Sequence, residues 1–152
     1  MTDLSLVIPC FNEEEVISLF YEETQKVINE LKVQKIIQSA EYIFIDDGSK
    51  DKTLEIAKSL SEKDTFVHYI SFSRNFGKEA AMYAGLKAAK GSFVTIMDAD
   101  LQDPPFLLPQ MVNAITNEGF DSVSTRRSTR KGEPVLRSFF ARRFYKLMNR
   151  IC

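Results

Sequence analysis

Residues 42–63, YIFIDDGSKDKTLEIAKSLSEK, contain the pattern that decides the fold. The run at residues 42–45 is short, apolar and rich in β-branched and aromatic side chains, which predicts a buried strand. A polar turn with a glycine follows it, and residues 53–63 then show helical periodicity, with Asp51 suited to cap that helix. The segment therefore predicts a strand, a tight turn and a helix.

The same alternation continues on both sides of this segment. Similar patterns predict strands at residues 4–8, 67–72 and 93–97, a fifth strand near 121–124, and helices at 13–32, 78–90 and 105–117. Because right-handed crossovers join parallel strands, we predict an α/β domain with a doubly wound, mostly parallel sheet and helices on both faces. Ligands of such folds bind at the carboxyl ends of the strands.

Signals at the predicted helix ends agree with this alternation. Asn12 and Glu15 have the spacing of a capping box before the first helix, and Pro104-Pro105 suits a helix start. Gly91 and Gly119 suit positions just beyond a helix. We therefore expect each helix to lie between two strands of the sheet.

Length and composition are those of one soluble globular domain. The chain has 152 residues, of which 44% are hydrophobic and 27% charged, and no run approaches the roughly 20 apolar residues of a membrane span. The N-terminus lacks the features of a signal peptide, so the cytoplasm is the expected compartment. Cys10 and Cys152 lie at opposite ends and form neither a disulfide framework nor a zinc-type spacing.

The charge of the chain is unevenly distributed, although the net charge is only −1. Residues 126–152 carry a net charge of +8 and residues 1–125 a net charge of −9, which divides the chain into a core and a basic segment. Apolar residues recur near helical spacing in the basic segment, which predicts a basic amphipathic helix. This helix either attaches to an anionic membrane surface or packs on the domain, and we predict no nucleic-acid partner.

Polar residues follow four of the predicted strands at the point where each strand ends. They are residues 9–13, 46–49, 73–78 and 98–103. Because the carboxyl ends of parallel strands meet at one edge of a sheet, these residues are expected to converge there. Stability alone would not gather so many like charges, so a functional polar cleft is predicted.

Asp98-Ala99-Asp100 is the most informative of these segments. Alternate side chains of an extended strand end project from the same face, so the two carboxylates are expected within a few ångströms of each other. A cation between them would relieve their repulsion, and hard oxygen ligands favour Mg²⁺ or Mn²⁺. Gln102 can add an amide oxygen. The alternative is a strand end with solvated aspartates.

Four other residues predict contacts with a phosphorylated ligand. Asp46 and Asp47 offer carboxylates to a base N–H or to ribose hydroxyls, although they suit a structural turn equally well. Lys78 is at a helix start, where free backbone N–H groups and a lysine favour a diphosphate. Arg126 follows the predicted fifth strand and, with the arginines after it, can meet a diphosphate or an acceptor phosphate.

Four strings in this order resemble the family 2 glycosyltransferases of the GT-A fold, which is nucleotide-diphospho-sugar transferase-like. They are VIPCFNEEE (7–15), FIDDGSKDKT (44–53), SRNFGKEAAMYAGLKAAKG (73–91) and MDADLQDPP (97–105). The string DADLQDPP is most similar to the polyprenyl-phosphate branch, which includes dolichyl-phosphate mannose synthases. The resemblance extends from residue 4 to about residue 150.

The resemblance implies an inverting, metal-dependent transfer of a sugar from a nucleotide-diphosphate sugar to a polyprenyl phosphate. A UDP-sugar is the preferred donor, and GDP-mannose stays open. It also implies that Pro9, Phe11 and Glu13 frame the base and ribose, that Asp47 accepts from the base, and that Lys78 lies near the diphosphate. Asp98, Asp100 and Gln102 would hold the metal. The complete predicted donor-binding set is Pro9, Phe11, Glu13, Asp46, Asp47, Lys78, Asp98, Ala99, Asp100 and Arg126.

Members of this branch continue well beyond 152 residues, so we expect the chain to be the N-terminal part of a protein at the inner face of the cell membrane. Their proposed catalytic base lies farther downstream, so no base is assigned. One alternative is a nucleotide-sugar-binding fragment without catalysis of its own. Another is a phosphohydrolase of the haloacid dehalogenase type, although Asp-x-Asp normally ends the first strand there. No Gly-x-Gly-x-x-Gly follows the first predicted strand, which disfavours dinucleotide binding.

Overall fold

The computed structural model describes residues 3–125, which form one parallel sheet with helices on both faces. In chain order the elements are β1 (Leu4–Cys10), α1 (Ile17–Val33), β2 (Ala40–Asp46), α2 (Thr53–Lys63), β3 (Val67–Ser71), α3 (Lys78–Ala88), β4 (Phe93–Ile96) and α4 (Leu108–Glu118), which a 3₁₀ turn (Pro105–Leu107) precedes. The predicted α/β class and strand–helix alternation are confirmed.

The sheet has the strand order β3-β2-β1-β4, and all its pairs are parallel. The chain winds outward from β1 to β3 and then returns to add β4 on the other side of β1. Cys10 therefore lies opposite Asp46 in β2, while Val7 lies opposite Ile96 in β4. This reversal creates a switch point between β1 and β4, where doubly wound folds bind their ligands.

The larger part of the core lies on the face that α1, α2 and α4 cover. Leu6 and Ile8 of β1 share one buried cluster with Phe20 of α1 and Leu108 of α4. Phe20 also meets Phe44 of β2 edge to face, with ring centroids 6.5 Å apart. Burying each such side chain contributes about 1.5–3 kcal/mol, so this face fixes the strands whose ends carry the polar residues.

The opposite face has a smaller core and a single helix, α3. Ala81 of α3 is buried against Val7 and Ile45. A Cβ added to Gly85 would lie 2.3 Å from Cγ1 of Val7, so the absence of a side chain there lets the helix lie directly on the sheet. This close approach sets the position of Lys78 at the amino end of α3.

The first helix begins later than its periodicity predicts, and the capping-box prediction is wrong. Helix α1 starts at Ile17, and its N-cap residue, Val16, makes no side-chain capping bond. Asn12 adopts a left-handed backbone (φ 57°), and its side-chain oxygen accepts a hydrogen bond from the Lys50 amide. Residues 11–16 therefore form a turn that is hydrogen-bonded to the loop after β2. The Asn12 side chain, which was predicted to cap the helix, makes this distant contact instead.

The predicted fifth strand is absent, because residues 121–125 form no strand in the structure. Asp121, Ser122 and Ser124 are exposed, and aspartate and serine have weak strand propensity. Gly119 does end α4 in the left-handed conformation (φ 78°), as predicted. Between residues 3 and 125, no helix is long and apolar enough to cross a membrane. The predicted basic segment lies outside the described residues.

Candidate functional site

A cavity of about 370 Å³ opens at the carboxyl ends of β1, β2 and β4, beside the amino end of α3. It is lined by Pro9, Cys10, Phe11, Glu13, Asp47, Asn75, Gly77, Lys78, Ala81, Asp98, Ala99 and Asp100. The structure thus brings together eight of the ten predicted donor-binding residues. Of the other two, Asp46 does not line the cavity and Arg126 lies outside the described residues.

Asp98 and Asp100 flank a buried alanine just beyond β4. Ala99 is 2% exposed, while Asp98 is partly exposed and Asp100 is exposed at the cavity. Oδ1 of Asp100 accepts a hydrogen bond of 3.0 Å from the Gln102 amide, across Leu101 with its left-handed backbone (φ 57°). Gln102 is exposed and is not among the residues that line the cavity.

Lys78 forms an ion pair with Asp98 inside this cavity. Its Nζ lies 2.6 Å from Oδ1 and 2.7 Å from Oδ2 of Asp98, so one ammonium contacts both carboxylate oxygens. Lys78 begins α3 and Asp98 follows β4, which means that the pair joins the two sides of the cavity. Sequence spacing did not indicate this contact, because the two residues are 20 positions apart.

Asp47 holds the loop that leads into α3. Its Oδ1 accepts a hydrogen bond of 2.7 Å from the Phe76 amide, and its Oδ2 accepts one of 2.9 Å from the Gly77 amide. The Gly77 N–H, at the predicted diphosphate-binding helix start, is therefore taken by a carboxylate of the protein itself. The Lys78 side chain at this helix start faces the cavity.

Asp46 is buried, and its carboxylate holds the turn that follows β2. Its Oδ1 accepts from the Ser49 amide at 3.1 Å, and its Oδ2 lies 3.3 Å from the Ser71 hydroxyl that donates to it. Asp46 is 3% exposed, so its carboxylate positions the turn after β2 and does not face the cavity. Sequence reasoning grouped the two neighbouring aspartates, but alternation along the strand end separates them.

Glu13 reaches the cavity from the turn that follows β1. Its amide donates a 2.8 Å hydrogen bond to Oγ1 of Thr53, a fully buried residue at the start of α2. Partial burial raises the pKa of the Glu13 carboxyl, and the negative charges of Asp100, Asp98 and Asp51 raise it further. Glu13, Asp98 and Asp100 thus bring three carboxylates to one cavity, which makes it electrostatically suited to a cation.

Cys10 lines the cavity but is not suited to act as a nucleophile. Its thiol is 2% exposed and lies 3.4 Å from the carbonyl oxygen of Ile8, to which it donates. Burial raises its pKa far above the ordinary range, and the charges of Glu13, Asp46 and Asp98 add to this effect. Cys10 therefore stays a neutral thiol at physiological pH.

The donor chemistry of the cavity fits Mg²⁺ or Mn²⁺. Within residues 3–125, no group of three or more His, Cys, Asp or Glu side chains is arranged to hold a metal ion. Asp98 and Asp100 supply hard carboxylate oxygens, and an incomplete protein ligand set leaves positions for phosphate oxygens and water. The ammonium of Lys78 already shows that Asp98 accepts a cation at this position.

Two features of the cavity were missed by sequence reasoning. Ala81 lines the cavity although it was not predicted there, and Asn75, within the predicted polar stretch 73–78, was given no binding role. Asn75 belongs to the polar loop after β3, so its place at a strand end was the available signal. Ala81 lies one turn into α3. The small side chains of this helix were the signal in the sequence that it packs close to the sheet.

A larger cavity, of about 490 Å³, lies along the open edge of β4. Its lining comes from β4, α4 and residues 121–125, and it includes none of the polar residues that follow β1, β2 and β3. Most of its walls are apolar side chains such as Phe93, Ile96 and Met111. The concentration of titratable groups thus marks the smaller cavity as the chemically competent one.

An α/β domain with this strand order and an acidic cavity at its switch point has the architecture of the GT-A nucleotide-sugar transferases. Residues 5–151 match the model of the family described as Glycosyl transferase family 2. The chain belongs to the family 2 glycosyltransferases, as its four motifs predicted.

Curated relatives support this assignment over nearly the whole chain. A bactoprenol glucosyl transferase of Shigella phage SfV is 44% identical over 148 residues, which are 97% of this chain and 46% of that protein. A prophage bactoprenol glucosyl transferase homolog of Escherichia coli K12 is 43% identical over the same shares. The chain thus spans about half the length of these relatives.

Solved structures agree with the fold. The chain is similar to glucosyl-3-phosphoglycerate synthase from Mycobacterium tuberculosis in complex with phosphoglyceric acid, with 29% identity and a TM-score of 0.54, covering 78% of this chain and 41% of that one. A mannosyltransferase from Pyrobaculum calidifontis has a TM-score of 0.57 at 23% identity, covering 74% and 31%. The second similarity concerns the fold alone.

Proposed function

We propose that this domain binds a nucleotide-diphosphate sugar and transfers the sugar to a polyprenyl phosphate. The observation that carries the proposal is the meeting of Asp98, Asp100 and Lys78 in one cavity at the switch point of a family 2 domain. Two carboxylates and one ammonium there match a ligand that combines a diphosphate with a divalent cation.

The donor is held from three sides of the cavity. Phe11 and Pro9 offer an apolar surface to the base, and Glu13 offers a carboxylate to the ribose hydroxyls. Each oxygen of the Asp47 carboxylate accepts one backbone hydrogen bond and keeps a second lone pair. We assign Asp47 to accept a hydrogen bond from a base N–H through one of these lone pairs. Lys78 contacts the diphosphate, and Arg126 is assigned to the same anion or to the acceptor phosphate.

Asp98 and Asp100 would hold Mg²⁺ or Mn²⁺, with Gln102 as a third assigned ligand. When bound, the cation offsets the negative charge that develops on the departing nucleoside diphosphate. The acceptor oxygen forms a bond to C1 of the sugar while the bond between C1 and the diphosphate breaks. We propose inversion at C1, because a single displacement of the diphosphate by the acceptor oxygen inverts that carbon.

A phosphate acceptor suits a cavity without an assigned base. The second pKa of a phosphate monoester is roughly 6, so this acceptor is largely dianionic at neutral pH and needs no strong base. A hydroxyl acceptor would need a positioned carboxylate to take its proton. Relatives at 43–44% identity are bactoprenol glucosyl transferases, so we propose a glucosyl group, supplied as a UDP-sugar, and a polyprenyl acceptor.

We propose that the whole protein acts at the inner face of the cell membrane, where a polyprenyl-phosphate acceptor would lie. Residues 126–152 have a net charge of +8 and are assigned to the anionic surface beside the acceptor, while residues 1–125 form the donor-binding core. Cosedimentation with anionic vesicles tests this assignment. Equal recovery of the chain with neutral and anionic vesicles would contradict it.

Calorimetric titration of UDP, GDP and their sugars, with and without Mn²⁺, tests the donor site. We expect binding that requires Mn²⁺, that favours uridine nucleotides, and that is lost in an Asp98→Asn/Asp100→Asn variant. Glu62→Gln, an exposed change on α2, serves as the charge control. Absence of nucleotide binding in a folded native chain would refute the proposal, and preferred binding of GDP-mannose would replace the proposed donor.

A further inference from the structure

The contact between Lys78 and Asp98 has a consequence for how a cation enters the cavity. Both oxygens of the Asp98 carboxylate lie within 2.7 Å of the same Nζ atom. A divalent cation that binds Asp98 must therefore displace this ammonium or share a carboxylate with it. Direct repulsion between two cations at this distance makes sharing unfavourable.

Lys78 is the mobile partner of the pair. Its side chain is 55% exposed and consists of a flexible four-carbon stem at the first residue of α3. Asp98, at 38% side-chain exposure, is fixed by the buried Met97 and Ala99 on either side of it. The ammonium can thus leave the carboxylate without any change in the sheet.

Lys78 is the basic side chain that the described part of the cavity presents to an anion. Among the described residues that line it, Lys78 is the one basic side chain, against four acids: Glu13, Asp47, Asp98 and Asp100. A diphosphate brought into this cavity would be a new anionic partner for the ammonium. Its arrival would draw Lys78 away and leave Asp98 open to the divalent cation.

We propose that Lys78 couples the two ligands of the site, so that a divalent cation binds Asp98 tightly only when a diphosphate has taken the lysine. This proposal rests on the proposed donor site and concerns the order and cooperativity of binding there. Because coupling between two ligands is reciprocal, the cation also strengthens diphosphate binding by the same factor.

Binding of Mn²⁺ alone, followed by the electron paramagnetic resonance of the free ion, tests the competition directly. We expect the Lys78→Met variant to bind Mn²⁺ at least about fivefold more tightly than the native chain in the absence of nucleotide. Lys87→Met removes the same charge near the other end of α3 and should leave Mn²⁺ affinity unchanged. Unchanged Mn²⁺ affinity in Lys78→Met would overturn the proposal.

The same titration in saturating UDP separates displacement from a general charge effect. In the native chain, UDP should increase Mn²⁺ affinity about fivefold or more, the size typical of coupled sites. In Lys78→Met this factor should be clearly smaller, because only the direct contact of the diphosphate with the cation still contributes. Loss of a distant positive charge would instead raise Mn²⁺ affinity equally with and without UDP and leave the factor unchanged. An unchanged coupling factor would overturn the proposal.

Failure of the donor site gives a different pattern. If the native chain binds no UDP or GDP at any Mn²⁺ concentration, the proposed function is refuted, while the Mn²⁺ affinities without nucleotide still decide whether Lys78 competes for Asp98. Lys78→Arg keeps the charge and should retain weak Mn²⁺ binding in the absence of nucleotide. Circular dichroism of each variant shows that the domain is folded.

Discussion

The amide of Gly77 donates a 2.9 Å hydrogen bond to Oδ2 of Asp47, which joins the end of β2 to the start of α3. Oδ1 of the same carboxylate accepts from the Phe76 amide at 2.7 Å. Asp47→Asn would turn one acceptor into an NH₂ group facing a backbone N–H. We expect the free energy of unfolding to fall by about 1–3 kcal/mol in urea titrations, because one partly buried donor loses a charged partner.

The same variant should also bind nucleotide more weakly, since the loop that Asp47 holds leads directly to Lys78. Glu62→Gln makes the same chemical change on the exposed surface of α2 and should alter neither quantity. Native stability together with native nucleotide affinity in Asp47→Asn would show that these two hydrogen bonds do not position the loop.

Gly48 has a left-handed backbone (φ 70°), and its position brings two loops of the cavity together. A Cβ at Gly48 would lie 2.4 Å from the carbonyl carbon of Arg74, a backbone atom that cannot move by side-chain rotation. We expect Gly48→Ala to lower the melting temperature and to weaken nucleotide binding. Thermal unfolding followed by circular dichroism measures the first effect, and calorimetry the second.

Gly119 provides a matched control for this change. It also has a positive φ (78°), but an added Cβ would meet nothing within 4 Å. Gly119→Ala should therefore show only the cost of a left-handed alanine, about 1–2 kcal/mol, with native nucleotide binding. Equal destabilisation by Gly48→Ala and Gly119→Ala would mean that the loop around Arg74 can move aside without a loss of free energy.

The fold was largely predictable because its signals are local. Residues 53–63 were predicted to be helical and form α2, and the predicted strands agree with β1 to β4 to within a few residues. The signals failed where a distant contact decides the local structure, as at Asn12, which binds Lys50 and does not cap α1. The predicted fifth strand, residues 121–124, contains one apolar residue, Val123, between two serines.

The site was predictable as a set of residues but not as a set of contacts. Strand ends follow from periodicity, so Asp98, Asp100 and Lys78 could be assigned to one edge of the sheet. The sequence does not show which partner each charge takes. That Asp47 binds backbone amides and that Lys78 binds Asp98 depends on the loop conformation after β3 and on α3 lying directly on the sheet at Gly85.

Glu41 carries a buried network at the edge of the sheet opposite the cavity. Its Oε1 accepts from the Ser5 hydroxyl at 2.6 Å and from the Lys90 amide at 2.7 Å, and its Oε2 lies 3.6 Å from Nε2 of His68. Glu41→Ala would leave two donors without an acceptor. We expect a loss of about 3 kcal/mol in the free energy of unfolding by urea titration.

Nucleotide affinity should stay unchanged in folded Glu41→Ala, because the network lies at the amino ends of the strands. Glu41→Gln retains an acceptor oxygen and should cost less, while Glu30→Ala on the exposed face of α1 should cost little. A parallel loss of nucleotide affinity in Glu41→Ala would show that the two edges of the sheet are energetically coupled.

The stability of the domain should depend on pH through the carboxyl group of Glu13, which lines the acidic cavity. Its pKa is raised above the ordinary 4.5 by partial burial, and then by the charges of Asp100, Asp98 and Asp51. Protons therefore bind Glu13 more tightly in the folded chain than in the unfolded one. The resulting stabilisation is fully present below pH 4.5 and is lost as the pH rises through the raised pKa.

Glu13→Gln cannot ionise, so its advantage over the native chain should appear only above this pH window. In buffer with a chelator, we expect equal urea midpoints for the two proteins below pH 4.5 and a higher midpoint for Glu13→Gln near neutrality. Glu15→Gln removes a charge from the exposed part of the same turn and should not reproduce the effect. Coincident midpoints of Glu13→Gln and the native chain at neutral pH would show that neither burial nor the charges of Asp100 and Asp98 raise the pKa of Glu13.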